Sequence, residues 1–407
     1  MFKNKKKRFI FFCFSLTVFF SLSAQKFEEL ALTPQMGWSS WNAFKKNIDE
    51  DLIRQMADIM AEEGFLDAGY CYLNIDDGWA RSRDSLGFIL ADPEKFPSGI
   101  AALAQYVHHK GLKFGIYSSA GPKTCGGLPG SLGHEYQDAI IYAKWGVDYL
   151  KYDWCAASHL NPRVAYPLMA DAIREAGRPM VFSICDGGPM KPWLWAGKIG
   201  HSWRTTYDIW PCFSCIKDHG SWKQPGVLPV IDQQDSLRKY AGPGHWNDPD
   251  MMQIGNGELT LNQNRAHFSM WCMLAAPLLL GTDLRKMSPE LKEVVLNKEV
   301  IAIDQDSLGI QAMKYKNEEG VDFWFKPLCD GAWALCLLNR SNAPVSIDID
   351  WNDIAFFDEV SQRDFNSATQ LYTIRNLWTK KMEGKTRKVK KVTLPAEDVM
   401  LYHLTPM

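Results

Sequence analysis

From Leu32 to about Gly309 the chain alternates short apolar runs, rich in β-branched and aromatic residues, with longer segments of helical period. The runs are Gln35 to Trp38, Cys71 to Ile75, Lys113 to Tyr117, Val147 to Tyr152, Met180 to Ile184, Ser202 to Tyr207, His245 to Asn247 and Pro277 to Gly281. Amphipathic segments fall between them: Asp49 to Glu63, Ile100 to Lys110, Glu135 to Trp145, Pro162 to Ala176 and Asn262 to Leu274. Eight such units predict a (β/α)8 TIM barrel over residues 25–309, an α/β fold with a parallel sheet. After Gly309 the pattern becomes alternating. Val321 to Phe325, Ala332 to Leu338, Val345 to Ile349, Ala368 to Ile374, Arg387 to Leu394 and Val399 to Leu404 are separated by turn clusters such as Asn339-Arg340-Ser341-Asn342. Residues 310–407 are therefore expected to form a C-terminal antiparallel β-sandwich, with a packing role or a contact to sugar. The basic stretch Lys380 to Lys391 reads as a solvated hairpin.

The ends of the barrel runs share one property. Trp38 and Trp41, Asp76 and Asp77, Ser118 and Ser119, Asp153, Cys185 and Asp186, Arg204 and Asp208, Asp248 and Asp250, and Asp283 all follow an apolar run. In a barrel these ends converge on the face that carries chemistry, and so many carboxylates on one ring are hard to explain as structure. An open doubly wound sheet needs no such convergence, and no G-x-G-x-x-G follows the first run. Within Tyr149-Leu150-Lys151-Tyr152-Asp153, positions i and i+2 face the same side, so Lys151 and Asp153 should share one space. A lysine there would favour ionised Asp153, which suits a nucleophile; an ordinary buried ion pair explains the segment equally well.

Composition narrows the partners. Hydrophobic residues at 46% and charged residues at 23% are ordinary for a folded protein, and a net charge of −2 makes no case for nucleic acid or anionic lipid. Aromatic content of 13%, with 16 Trp, suits sugar stacking and large cores alike. Residues 1–24 read as a signal peptide: a basic region at Lys3 to Arg8, an apolar region at Phe9 to Phe20, and the small-residue exit Ser21-Leu22-Ser23-Ala24. The apolar run is short for a membrane anchor, the alternative, and Cys13 lacks the small residues that lipoprotein processing needs. Export to the periplasm or beyond, with no membrane span after cleavage, follows as an expectation, and an oxidising compartment with it. Ten Cys less Cys13 leaves nine, so at least one thiol should be free or intermolecular.

No H-E-x-x-H, Cys/His zinc spacing or G-x-S-x-G is present. Asp248-x-Asp250 and Asp304-x-Asp306 do not continue as calcium loops and read as caps. Neither a metal nor a cofactor is called for. Paired carboxylates across a barrel mouth, with aromatic neighbours, are the equipment of glycoside hydrolysis.

Six ordered motifs then resemble glycoside hydrolase family 27 of clan D, the α-galactosidases and α-N-acetylgalactosaminidases. They are Met36-Gly37-Trp38-x-x-Trp41-Asn42, Asn74-Ile75-Asp76-Asp77-x-Trp79, Gly130-Ser131-Leu132-Gly133, Lys151-Tyr152-Asp153, Trp203-Arg204-x-x-x-Asp208 and Trp246-Asn247-Asp248-Pro249-Asp250-Met251. The resemblance implies an exo-acting, retaining enzyme with Asp153 as nucleophile and Asp208 as acid/base, acting on an α-galactoside-containing carbohydrate. Tyr207, Ile209 and Trp210 around Asp208 should raise its pKa towards a proton donor's, and Arg204 should share its strand face. The resemblance assigns sugar contacts to Trp38, Trp41, Asp76, Asp77, Lys151, Cys185, Asp186, Arg204, Asp250 and Met251. Asp76 and Asp77 would take the 4- and 6-hydroxyls of galactose, Arg204 would lie near the 2-position, and Trp38 and Trp41 would line the apolar face.

Departures narrow the resemblance. The usual Cys after Asp-Asp is Gly78, and its partner after Phe44 is absent too. Cys125 and Cys155 match a family disulfide, whereas Cys185 has Gly200 opposite it and is expected to be free. Cys212 and Cys215 can form a local bridge or remain buried thiols; Cys71, Cys272 and Cys336 sit in apolar runs and read as core, while Cys329 reads as a turn position. Where the family commonly has Cys-Glu-Trp, this chain has Cys185-Asp186-Gly187-Gly188. Smaller residues there would admit an N-acetyl group or a branched substrate, so α-N-acetylgalactosaminidase activity stands as an alternative to α-galactosidase; β-L-arabinopyranosidase activity, on galactose without its C6 hydroxymethyl, is another, and the intact Asp76-Asp77 argues against it. A non-catalytic carbohydrate-binding protein is a further one, disfavoured because both Asp153 and Asp208 are kept.

Overall fold

The computed structural model describes residues 26–407; the targeting segment read at residues 1–24, and Cys13 with it, lies outside the described residues. Eight parallel strands form the first sheet: β1 Met36–Ser39, β2 Tyr72–Asn74, β3 Lys113–Ser119, β4 Tyr149–Asp153, β5 Val181–Cys185, β6 Ser202–Arg204, β7 Trp246–Asp248 and β8 Leu278–Leu280. Their order is β7-β6-β5-β4-β3-β2-β1-β8. The ring closes through a parallel bridge between Met252, just past β7, and Leu280 in β8. All eight fall within a few residues of the predicted runs. Gly115 on β3 shows how tightly the interior is filled, because a Cβ there would lie 1.8 Å from the Asn74 side-chain oxygen.

The helices start where capping residues stand. Asp49 accepts from Leu52 N ahead of Glu50–Glu62, and Leu52, Ile53, Met56, Ala57 and Met60 form its buried face. Asn161 caps Pro162–Glu175 with proline in the first turn, and Thr260 and Gln263 form a capping box on Leu261–Met273. Only two short 3-10 turns, Pro192–Leu194 and Ala196–Lys198, lie between β5 and β6. Two features depart from expectation. The sixth strand stops at Arg204 instead of Tyr207, because Thr206 O is taken by the Arg204 guanidinium and Ile209 N by Asp250, so neither extends a ladder. Cys71 is only half-buried at the opposite end of the barrel.

Beyond the barrel, six antiparallel strands run in the order Met313–Glu318, Val321–Pro327, Trp333–Asn339, Val399–Pro406, Tyr372–Asn376 and Lys381–Lys385. Two short ribbons, Val345–Ile349 with Lys390–Leu394 and Ala355–Asp358 with Arg363–Asn366, cover one face. Strand alternation divides the side chains between two cores. Phe323, Phe325, Leu335 and Leu337 pack under the ribbons, whereas Trp324, Ala334, Cys336 and Leu338 join the core of the barrel. The basic stretch at Lys380 to Lys391 is not one hairpin: Lys381–Lys385 pairs with Tyr372–Asn376, and Lys390–Leu394 with Val345–Ile349. The chain changes sheet at buried Thr386, whose hydroxyl accepts from Tyr372 N. Arginine ion pairs tie the two regions together: Arg265 to Asp398, Arg375 to Glu299, Arg340 to Asp232 and Arg238 to Asp358.

Candidate active site

The carboxyl ends of the barrel strands gather the polar residues into one pit. Asp76, Lys151, Cys185, Arg204, Asp250 and Met251 line it together with Ser39, Asn74, Ser183 and Asp248. Asp153, the last residue of β4, stands at its rim; Oδ2 accepts from Tyr117 Oη at 3.0 Å and Oδ1 from Trp154 N at 2.7 Å. The Cys125–Cys155 disulfide passes beside it, with sulfurs 3.7 and 4.0 Å from the two carboxylate oxygens.

Lys151 does not bond Asp153 as its strand position suggested. Its Nζ donates to Asp76 Oδ2 at 2.7 Å and lies over the Tyr117 ring. The reason is reach: a lysine stem projecting from β4 meets the carboxylate at the end of β2 before its own strand neighbour. Burial consequently dominates at Asp153 and pushes its pKa up to about 6, against the pull of Lys151 and Trp154 N and with the help of Asp208 and Asp76.

Asp208 behaves in the opposite way to the sequence-based expectation. Burial raises its pKa, but Arg204, Lys151 and Lys45 together outweigh it and hold the carboxyl below its usual value. Its side chain is 45% exposed by surface area, so the apolar neighbours do not enclose it. Arg204 Nη2 reaches Asp208 Oδ1 at 3.2 Å and Asp250 Oδ2 at 3.1 Å. The Arg204–Asp208 pairing thus comes from a turn after β6, not from a shared strand face. Asp250, at φ +91°, accepts from Met251 N and Ile209 N; burial, opposed by Arg204 and reinforced by Asp208, raises its pKa to about 6. Asp248 Oδ1 accepts from Asp250 N, the capping use expected of that motif; Asp306 likewise accepts from Leu308 N and Cys329 N.

Asp76 and Asp77 are almost fully buried. Asp76 Oδ1 accepts from Asp77 N, and Asp77 Oδ2 accepts from Gly126 N at 2.5 Å, which binds this strand end to the loop carrying Cys125. Burial raises the Asp77 pKa against Gly126 and Thr124. Trp41 is half-buried beside Met251 and Leu279 with Lys45 over its ring, whereas Trp38 has no exposed surface and its indole donates to Thr282 O. Trp38 therefore braces the β1 and β8 ends and does not face a ligand. Cys185 is a buried free thiol 3.6 Å from Arg204 Nη1.

The Asp186-Gly187-Gly188 turn is built by its own residues. Asp186 Oδ1 accepts from Gly188 N, and burial lifts its pKa to about 6 against bonds from Gly188 and Met190. Gly188, at φ +91°, has no room for a Cβ, which would lie 2.4 Å from Thr205 O. Its smallness serves the backbone. Three contributors escaped the sequence reading: Tyr117, Ser40, whose Oγ accepts from Asp76 N, and Lys45, which acts electrostatically on Asp208, Asp250 and Asp76. Tyr117 and Ser40 lie on or just after predicted strands and were open to the strand-end rule; Lys45, at φ +51°, leaves no local signal.

Residues 33–306 match the family model described as alpha galactosidase A, and residues 318–404 that described as alpha galactosidase C-terminal beta sandwich domain. The chain is 53% identical over 392 residues to alpha-galactosidase A of Cellvibrio japonicus, covering 96% of each. Among solved structures it resembles alpha-galactosidase I from Mortierella vinacea, with a TM-score of 0.87, 36% identity and coverage of 93% of this chain and 98% of that one. The alpha-galactosidase of Saccharomyces cerevisiae with raffinose aligns with a TM-score of 0.83 and 29% identity, over 93% of this chain and 99% of its own.

Proposed function

The chain belongs to the α-galactosidases of glycoside hydrolase family 27, and on that premise we propose that it releases terminal α-galactosyl residues by double displacement, with Asp153 as nucleophile and Asp208 as acid/base. Hydrolysis of α-galactosides is the activity of this membership. The observation that supports the residue roles is the pairing of two carboxylates at one barrel mouth, each within electrostatic reach of the other and of Lys151.

Asp153 has its oxygens oriented by Tyr117 Oη and Trp154 N, and attacks C1 to give a covalent glycosyl-enzyme. Asp208, accessible and steered by Arg204, gives a proton to the leaving oxygen and then takes one from water. The pair carries one proton through this cycle. Burial raises Asp153 to about 6, whereas at Asp208 burial is outweighed by Arg204 and Lys151, so Asp208 is the more acidic of the two in the free site.

Galactose is preferred over its N-acetylated relative in this reading because Gly187 and Gly188 do not leave a void. A Cβ on Gly187 would lie 3.1 Å from the Tyr207 ring, and Gly188 is closed by Thr205 O. Export is part of the proposal. It is supported by the basic, apolar and small-residue succession of residues 1–24, by two disulfides, and by the finding that no described helix is long and apolar enough to cross a membrane.

Azide added to Asp153→Ala should restore turnover and yield the β-galactosyl azide, whereas Asp208→Ala should give the α-azide from the glycosyl-enzyme. The reverse assignment of products would overturn the roles, and preference for a nitrophenyl α-N-acetylgalactosaminide or β-L-arabinopyranoside would overturn the substrate.

A further inference from the structure

The basic stretch Lys380 to Lys391 has no part in the chemistry above. Seven of its twelve residues are Lys or Arg and Glu383 is its one acid, in a chain whose net charge is −2. So dense a block of like charge repels itself. On this fold it is also not spread along an open hairpin, because the chain crosses there from the six-stranded sheet, at Lys381–Lys385, to a separate ribbon, at Lys390–Leu394.

The crossing is pinned by the backbone. Thr386 is buried, its N–H donating to Tyr372 O and its hydroxyl accepting from Tyr372 N, and Arg387 N donates to Lys385 O at 2.8 Å. The cations therefore project from a fixed path. Lys385, Arg387, Lys388, Lys390 and Lys391 line a cavity of about 510 Å3, with Glu383 as its one acid. This volume falls within the range of ligand sites, about 300–1,000 Å3.

The positive charge is answered only in part. Lys390 pairs with Glu383 at 2.9 Å, and Lys391 lies 3.8 Å from Asp348. Among the described residues no carboxylate lies within ion-pair distance of Lys381, Lys385, Arg387 or Lys388, all four of them exposed. Three of these line the cavity, so it carries net positive charge and an anion is the ligand that relieves it.

The surroundings select among anions. A nucleic acid strand is held by stacking as well as by charge, and the rings that this stretch touches, Tyr372 and Tyr402, are buried. A membrane surface takes up a broad apolar face, whereas this stretch exposes Met382 and Val389 alone. A chain of uronic acid rings presents a carboxylate on each ring to the cations, and its C–H faces suit Val389 at the cavity wall. We propose that the cavity is a docking site for an acidic polysaccharide, a carboxylate-bearing polymer of pyranose rings, which holds the enzyme on material that carries its galactosyl targets. The site belongs to the sandwich and takes no part in bond cleavage. The choice of a saccharide among polyanions rests on the α-galactoside reading; the anion site itself does not.

The test measures binding of the full chain to polygalacturonate and to its methyl ester, which has the same rings without the charge. Wild type should bind the free acid about tenfold or more tightly than the ester, and about 0.5 M salt, which cuts the reach of charge to roughly 4 Å, should abolish the difference. Joint replacement of Lys385→Gln, Arg387→Gln and Lys388→Gln should remove the preference. Joint replacement of Lys198→Gln, Lys239→Gln and Lys298→Gln, the same change of charge at exposed positions elsewhere, should keep it. Both triple variants should hydrolyse a nitrophenyl α-galactoside within about twofold of wild type, because neither set lines the pit. Equal binding of acid and ester by wild type, or an equal loss in both triple variants, overturns the site. Tighter binding to phosphatidylglycerol vesicles or to duplex DNA at matched charge concentration overturns the choice of polysaccharide. Should the triple variant at the cavity fail to fold, Lys388→Glu alone decides in its place. A chain that binds polygalacturonate and leaves the nitrophenyl substrate intact overturns the α-galactosidase reading and not the docking site.

Discussion

Lys151 donates to Asp76 at 2.7 Å, across the strands from β4 to β2, while Asp153 on its own strand receives Tyr117 and Trp154 N. The ammonium thus stabilises the floor of the pit and acts on Asp153 only through space. This arrangement leaves Asp153 raised to about 6 and Asp208 lowered.

The pH profile follows from that pair. One shared proton is needed, and it is lost as pH rises through the upper value. The kcat/KM profile should be a bell with its alkaline limb near pH 6 and its acid limb below the ordinary aspartate value. Replacing Lys151 by Met removes a charge that lowers both carboxyls, so the alkaline limb should move up. An alkaline limb at pH 8 in the wild type would contradict this. Stability has a matching sign: Asp153, Asp186 and Asp250 hold protons to about 6, above the unfolded value of 3.8. Their contribution is complete below the unfolded value and is lost as pH rises through the folded one. The melting temperature of the free enzyme should therefore fall between pH 5 and pH 7.

Asp208→Asn removes the proposed proton donor. On galactosides with alcohol leaving groups, kcat/KM should drop by roughly 10^2 to 10^4. On α-galactosyl fluoride, which departs with less need of a proton, the loss in the first step should be much smaller. Equal losses on both would show that the substitution disturbs binding and not proton transfer.

The Cys125–Cys155 bridge closes 30 residues and lies against Asp153. Replacing both by Ser should cost about 3 to 4 kcal/mol in denaturant unfolding by the loop-closure relation. It should also lower kcat more than it raises KM, because the carboxylate loses a wall and not a sugar contact. Unchanged kcat would limit the bridge to stability.

Arg265, from the barrel helix Leu261–Met273, pairs with Asp398, whose side chain has no exposed surface. Arg265→Ala strands that carboxylate at the junction of the two cores. Unfolding free energy should fall by about 3 to 5 kcal/mol, with kcat/KM changed less than about twofold because Arg265 does not line the pit. A loss under about 1 kcal/mol would mean that the junction relaxes to let water in.

Periodicity alone was enough for the barrel and for most of the sandwich strands, because burial on one face or two leaves its mark at every second or fourth residue. Strand ends were enough to collect Asp76, Arg204 and Asp250 in the pit and Asp153 at the end of β4, since parallel strands must deliver their carboxyl ends to one face. What that pattern does not encode is direction beyond the backbone. Lys151 chose Asp76 over Asp153, Trp38 turned inward to Thr282, and Asp208 lay outside any strand beside Arg204. Those outcomes depend on side chains from elements far apart in sequence. The pKa values of the two catalytic candidates depend on them too, because charge and burial act through space. The chain order of residues determined which groups would meet; only their packing decided which carboxyl is raised and which is lowered.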